Sequence, residues 1–152
     1  MTEFEGELSR SIAKVTQQSE GTEQWIDFSV DPRAAEYIGA ATAKRVAEYK
    51  PDTVVTWMLP DEAILAHIVS RELGITSARA ELDLGLITID QELTPPRRIV
   101  LLTTIDDHYR QLNSLNTLLL GKGHVVVAAL SVLSTGEPLI DSDVPQFELS
   151  AR

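Results

Sequence analysis

The sequence predicts an α/β domain, a mostly parallel and twisted sheet with helices on both faces. Two observations predict it. Three near-continuous apolar and β-branched runs, Thr53–Leu59, Ile99–Thr104 and His124–Leu133, read as strands buried on both sides. Between them lie segments whose apolar residues recur at helical spacing, such as Ile64, Leu65, Ile68, Val69 and Leu73. Buried strands alternating with amphipathic helices require a parallel sheet covered on each face, with right-handed crossovers.

The elements follow in order. Residues 1–24 form a polar arm with a short helix over Leu8–Val15, its Leu8, Ile12 and Val15 on one face. The α/β core spans 25–133. Trp25–Phe28 is a short extended segment, and Asp31-Pro32 starts a helix, Asp as cap and Pro in the first turn. That helix buries Ala34, Ala35, Ile38 and Ala41 and runs to about Tyr49, where Pro51 stops it. After the strand ending at Leu59, Pro60-Asp61-Glu62 turns straight into a helix whose first-turn acids suit the dipole and which Gly74 closes. Ser77–Leu82 and Leu84–Ile89 are two weaker strands. Ile99–Thr104 carries the strongest strand signal, and a polar loop then leads to a helix with Leu112, Leu115 and Leu119 inward. The tail, 134–152, contains Pro138 and Pro145 and reads as a loop or a short edge hairpin.

Composition narrows the function. The 152 residues are 43% hydrophobic and 24% charged, a globular balance. There is no cysteine, so disulfides, thiolate metal sites and cysteine nucleophiles drop out together. No apolar run is long enough for a bilayer, and the first residues carry no secretory signal, which points to a cytoplasmic protein without a membrane partner. The net charge of -10, with 13 scattered basic residues, argues against nucleic acid, which needs Lys and Arg to replace counterions.

In parallel sheets of this kind ligands bind beyond the carboxyl ends of strands, where a loop meets a helix N-terminus. Two loops qualify, Leu59–Glu62 and Thr103–Ser114. The segments around them have a familiar order. Ile26-Asp27 precedes Asp31-Pro32 and a long helix. Pro51-Asp52-Thr53-Val54-Val55 leads through a turn to Ala63-Ile64-Leu65-Ala66 and Glu72-Leu73-Gly74. A variable strand pair comes next, and then Arg98-Ile99-Val100-Leu101-Leu102, a loop, a leucine-rich helix, Gly123 and Val125-Val126-Val127. From Asp27 to Leu133 this resembles the type I phosphoribosyltransferase family, and within it the orotate branch.

The resemblance implies a phosphoribosyltransferase-like fold, a homodimer, and a site for phosphoribosyl pyrophosphate with Mg²⁺. The family pattern has two acids at the strand exit to hold the ribose hydroxyls, then a Thr- and Gly-rich loop that holds the 5′-phosphate at a helix N-terminus. Aligned without gaps, the acid pair falls on Thr103-Thr104 and the loop on Ile105-Asp106-Asp107-His108-Tyr109-Arg110. A second alignment, with three residues inserted and a compensating deletion in the helix, puts Asp106-Asp107 on the acids and Ser114 on the loop's last threonine. Under either alignment no glycine lies between Gly85 and Gly121, although glycine lets backbone approach a phosphate closely.

The pyrophosphate loop of the family falls on Leu59-Pro60-Asp61-Glu62. Pro60 removes an amide donor, and Asp61 and Glu62 are expected to face the dianion. At roughly 4 Å and an effective dielectric near 20, each such pair costs about 4 kcal/mol. The stretch Ala80–Gln91, matching a mobile basic loop of the orotate enzymes, has no Lys or Arg. The candidate substrate-binding residues are therefore Pro60, Asp61, Glu62, Thr103, Thr104, Asp106, Asp107, Arg110, Asn113 and Ser114, with Asp106 and Asp107 also the candidate Mg²⁺ ligands. Arg110, Asn113 and Ser114 suit an anion at the helix start. Asp106-Asp107-His108 reads equally as a solvated cap for that helix. No residue is assigned a catalytic step. His67 reads as surface, Trp57 as core, and His124 receives no role.

Three functions are consistent with these residues. One is a phosphoribosyltransferase-like protein that has lost catalysis and acts as a ligand-binding or regulatory homologue, with a sugar phosphate or nucleotide as its ligand. Another is an active orotate or nucleobase transferase, with Asp106 and Asp107 on ribose and metal and Asn113 and Ser114 on phosphate. The third is an α/β oligomerisation module, since a fold does not fix a chemistry.

Overall fold

The computed structural model describes residues 2–150. Helix α1 (Glu3–Val15) starts at a capping box: the Thr2 hydroxyl accepts Glu5 N–H at 3.1 Å, and the Glu5 carboxylate accepts Thr2 N–H at 3.0 Å. This Thr-x-x-Glu signal carries the helix further toward its N-terminus than the apolar spacing from Leu8 indicates. Strands β1 (Thr16–Gln18) and β2 (Gln24–Ile26) form a separate antiparallel ribbon. A 3-10 turn, Phe28–Val30, leads into α2 (Pro32–Val46), which has Asp31 as cap on Ala34 N–H and Pro32 at its start.

Regular α2 ends at Val46, and a further 3-10 turn, Ala47–Tyr49, leads to Lys50 in the left-handed region. Arg98 closes this end: its guanidinium donates to the carbonyls of Lys50 at 3.0 Å and Tyr49 at 2.6 Å. A cation on the last carbonyls of a helix satisfies groups that otherwise lack partners.

The main sheet has six strands: β3 (Thr53–Trp57), β4 (Thr76–Asp83), β5 (Leu86–Ile89), β6 (Arg98–Thr103), β7 (Val125–Ser131) and β8 (Gln146–Glu148). Their order is β5-β4-β3-β6-β7-β8, and every pairing is parallel except the β4–β5 hairpin. Leu84 and Gly85, both at positive φ, make the hairpin turn, so β5 starts two residues later than its apolar run. The tail does not form an edge hairpin. It returns as the parallel edge strand β8, with Tyr49 and Arg45 packed against the Phe147 ring. No helix among the described residues is long and apolar enough to cross a membrane.

Every residue of β3 is buried, as a central parallel strand requires. One sheet face carries Val54, Val100, Leu102 and Leu130 against α1, α2 and α3 (Pro60–Leu73), through Ile12, Ile38, Leu65 and Val69. The other carries Val55, Trp57, Ile99 and Leu101 against Leu112, Leu115 and Leu119 of α4 (Leu112–Gly121). Trp57 is core, 1% exposed. The crossover from β3 runs through α3 to β4 on one side. The crossover from β6 runs through α4 to β7 on the other. The chain therefore diverges between β3 and β6, and their carboxyl ends open a crevice at the switch point.

Helices α2 and α3 touch at Gly39, where an added Cβ would sit 2.3 Å from Ile68 Cγ2 and 2.7 Å from Ile68 Cβ. A branched side chain on a packed face has no room to yield. Gly39→Ala is expected to lower unfolding free energy by about 1–3 kcal/mol in a denaturant titration. Gly21→Ala, where the nearest atom stands 3.9 Å away, is expected to change it by less than about 0.5 kcal/mol.

Candidate functional site

Both loops singled out in the sequence meet at the crevice, and their carboxylates are bonded to amides of the protein. The β3–α3 connection is tight: Met58 N–H donates to the Ala80 carbonyl at 2.7 Å and Leu59 N–H to that of Trp57 at 2.9 Å. Pro60 then opens α3, exposed and without an amide to offer. Asp61 Oδ1 accepts Phe28 N–H at 2.8 Å and ties the 3-10 turn before α2 to the start of α3. Glu62 turns inward and is 2% exposed. Each of the two acids is bonded to a backbone amide of the protein itself.

Glu62 crosses the crevice to the exit of β6. Its Oε1 lies 2.5 Å from Thr103 Oγ1, and its Oε2 accepts Thr104 N–H at 2.6 Å. Thr103 is the last residue of β6 and Thr104 the next, both buried. This is the position that the ungapped alignment gives to the acid pair, and hydroxyls occupy it. Beyond it, Thr104 and Thr103 stay in register with the end of β7: Leu133 N–H donates to the Thr104 carbonyl at 2.8 Å and Val132 N–H to that of Thr103 at 3.1 Å.

Asp106 and Asp107 lie past this exit, in the loop that enters α4. Asp107 Oδ1 accepts Tyr109 N–H at 2.7 Å and Arg110 N–H at 2.6 Å, and Asp106 Oδ1 accepts Leu112 N–H at 2.8 Å. Of these three amides only Leu112 N–H belongs to the first turn of α4, where an anion would sit; Tyr109 and Arg110 precede the helix in the loop. Burial raises the pKa of Asp106, and the carboxylates of Asp107 and Glu137 raise it further, while the Leu112 amide pulls it down. Arg110 stacks its guanidinium over the Tyr109 ring, 5.2 Å from the centroid. Asn113 Oδ1 accepts Asp141 N–H at 2.7 Å from the returning tail, and Ser114 is exposed in the first turn of α4. Among the described residues no group of three or more His, Asp or Glu side chains could hold a metal ion. Asp106 and Asp107 each engage Oδ1 with amides and keep Oδ2 outside these bonds.

One cavity borders these loops and a second lies apart from them. The first, of about 540 Å³, lies between the α4 entrance and the tail, with Asp106, Asn113, Glu137 and Asp141 on its wall. The other, about 570 Å³, lies between α1, the β1–β2 ribbon and the segment after β7. Its polar lining is uncharged: Ser9, Thr16, Gln18, Gln24, Ser134 and Ser150. Sequence reasoning missed this second cavity, because its walls come from the N-terminal arm and the tail, whose packing no local pattern announces. His67 is exposed on α3, as read. His124 is buried, and its Nδ1 accepts Arg97 N–H at 3.1 Å.

A doubly wound sheet with a crevice between β3 and β6, entered by two helix starts, is an architecture that phosphoribosyltransferase-like proteins share with other α/β folds. Solved phosphoribosyltransferases match it over nearly the whole chain. A phosphoribosyltransferase from Corynebacterium diphtheriae matches with a TM-score of 0.73 at 15% identity, covering 97% of this chain and 95% of that one. Adenine phosphoribosyltransferase from Rhodothermus marinus gives 0.72 at 15% identity over 95% and 98%. Mycobacterium tuberculosis orotate phosphoribosyltransferase, solved in complex with inorganic phosphate, gives 0.68 at 16% identity over 97% and 95%. No family model and no curated protein matches the sequence. The likeness is one of fold.

Burial pushes the Glu62 carboxyl up to about 7 from its ordinary 4.5, against the pull of the Thr103 and Thr104 donors, with Asp61 adding to the rise. A carboxyl whose folded pKa is raised lends stability below its unfolded value and withdraws it as pH climbs through the folded value. The stability from Glu62 is thus fully present below pH 4.5 and lost as pH rises through about 7, a change on the order of 3 kcal/mol. Glu62→Gln removes this contribution. Its unfolding free energy relative to the wild type is expected to rise between pH 5 and pH 8, measured by urea titration at each pH. Asp107→Ala, which frees two amides, is expected to cost about 1 kcal/mol by the same measurement.

Proposed function

We propose that this protein is a non-catalytic, ligand-binding homologue built on the phosphoribosyltransferase fold. The observation that carries the reading is the internal use of the crevice: Asp106 and Asp107 hold the amides at the α4 entrance, and Glu62 holds the exit of β6. A sugar phosphate entering here would have to displace bonded carboxylates in a chain of net charge -10. An anion gains little from amides that already have anionic acceptors.

The uncharged cavity lined by Ser9, Thr16, Gln18 and Gln24 supports a different ligand. Hydroxyls and carboxamides both donate and accept, which suits a neutral heterocycle or nucleoside over a phosphate. The Trypanosoma brucei adenine phosphoribosyltransferase, similar in fold, is solved with AMP, pyrophosphate and ribose-5-phosphate. We take from it only the ligand class, nucleotide components. A homodimer belongs to the same reading.

The test is a set of melting curves with phosphoribosyl pyrophosphate plus Mg²⁺, ribose 5-phosphate, free nucleobases and nucleosides, alongside an assay for pyrophosphate release. Ligand at 100 times its dissociation constant adds about 2.7 kcal/mol of stability. The expected outcome is a shift with a base or nucleoside, none with either sugar phosphate, and no pyrophosphate release. A shift with phosphoribosyl pyrophosphate plus Mg²⁺ that Asp106→Ala abolishes would establish the active transferase instead. No shift with any of these ligands, together with a dimer in sedimentation, would favour the oligomerisation module.

A further inference from the structure

Thr103 Oγ1 stands 2.5 Å from Glu62 Oε1 and 3.0 Å from the carbonyl oxygen of Ile105. A hydroxyl has one proton and donates to one acceptor at a time. Both contacts are hydrogen bonds together only when the proton between Glu62 and Thr103 belongs to Glu62. Glu62 Oε2 already accepts Thr104 N–H at 2.6 Å, so that proton sits on Oε1. The result is a directed chain in which Glu62 O–H donates to the Thr103 hydroxyl and the Thr103 O–H donates to the Ile105 carbonyl. We propose that this chain is a proton-operated latch on the loop that enters α4. When Glu62 ionises, its proton passes to solvent and the Thr103 hydroxyl turns toward the carboxylate. The Ile105 carbonyl then loses its donor, and residues 105–111 loosen.

The surroundings favour such a switch. Glu62 is 2% exposed, so its ionised form has almost no water and must recruit every donor within reach. The charged group acting on it is the Asp61 carboxylate on its own helix, of the same sign, and burial holds the acid form into the neutral range. From the exit of β6 it meets the hydroxyl of Thr103 and both the amide and the hydroxyl of Thr104. The nearby loop acids, Asp106 and Asp107, are bonded to their own loop's amides, and Asp27 beside the 3-10 turn bonds Ser29. None of these is a cation that would hold Glu62 ionised. The Thr104 carbonyl keeps Leu133 N–H in either state, which confines the change to the chain beyond it.

The latch concerns backbone order and stands apart from the ligand reading. Its test is hydrogen exchange of the full chain by mass spectrometry across pH 5 to 9, corrected for the intrinsic pH dependence of exchange. Each pH unit past the midpoint multiplies the ionised fraction relative to the acid about tenfold. The wild type is expected to lose about tenfold protection over residues 105–111 in a step near neutral pH, while β3 and β6 stay protected. Glu62→Gln, whose carboxamide can donate to Thr103 and accept from Thr104, is expected to keep the loop protected throughout. Thr103→Ser is expected to retain the step, and Thr103→Val to leave the loop unprotected at every pH. A step that survives in Glu62→Gln, or a wild type flat across the range, would overturn the latch. Carbon-13 NMR of labelled wild type reads the same device without a variant: the Glu62 carboxyl and Ile105 carbonyl resonances should move with one midpoint, and separate midpoints would also overturn it.

Discussion

A carboxyl group taken out of water must be either neutral or surrounded by donors, and Glu62 is the place where this protein meets that constraint. Its side chain leaves the first turn of α3 and ends on Thr103 and Thr104 at the exit of β6. Those two elements belong to the two diverging halves of the doubly wound sheet. The contact therefore spans the switch point, where neighbouring strands send their crossovers to opposite faces and the sheet has no helix to close it. In this chain a buried side chain closes it. The shape of the loop toward α4 depends on that bond, because Thr103 is shared between Glu62 and the Ile105 carbonyl.

The same reasoning applies to the amides at the start of α4. The first turns of a helix present N–H groups with no partner of their own. A bound anion is one remedy and a nearby carboxylate another. Asp106 supplies the second at Leu112, and Asp107 does the same for the loop amides of Tyr109 and Arg110 ahead of the helix. A loop that receives a phosphate leaves its amides open and keeps glycine for close approach. This loop has no glycine, and the amides of Tyr109, Arg110 and Leu112 are bonded to its own carboxylates. Charge and stereochemistry point the same way here, although they are independent properties of the sequence.

Much of the fold could be read from the chain. Thr53–Trp57, Arg98–Thr103 and Val125–Ser131 are central strands, and continuous apolar runs identified them because both of their faces are buried. The Asp31-Pro32 start of α2 and the Gly74 end of α3 were legible because caps are local chemistry. The β8 strand was not, since Gln-Phe-Glu has no strand pattern of its own and pairs only because the tail returns along β7. At the site, the sequence located both loops but not the direction of their side chains. Asp61 and Glu62 looked like acids facing a ligand because nothing local reveals that Phe28 N–H and Thr104 N–H stand within reach. Those partners lie 33 and 42 residues away, and only the tertiary fold brings them near.

That difference between strands and rim is physical. The two apolar clusters hold the helices to the sheet with residues such as Val54, Val100, Leu65, Leu101 and Leu115, none of which faces the crevice loops' polar groups. The apolar pattern can therefore persist while the rim chemistry changes, which is how likeness over 97% of a chain coexists with 15% identity. The rim, however, cannot simply be emptied. Strand exits and helix starts carry donors that need acceptors whether or not a ligand is present. A crevice that does not hold an anion must supply its own, and Glu62, Asp106 and Asp107 are the three side chains that do so here. On the proposed reading the acids of the α4 loop act as internal substitutes for a phosphate, and the hydroxyls of Thr103 and Thr104 suit the one buried acid that reaches them.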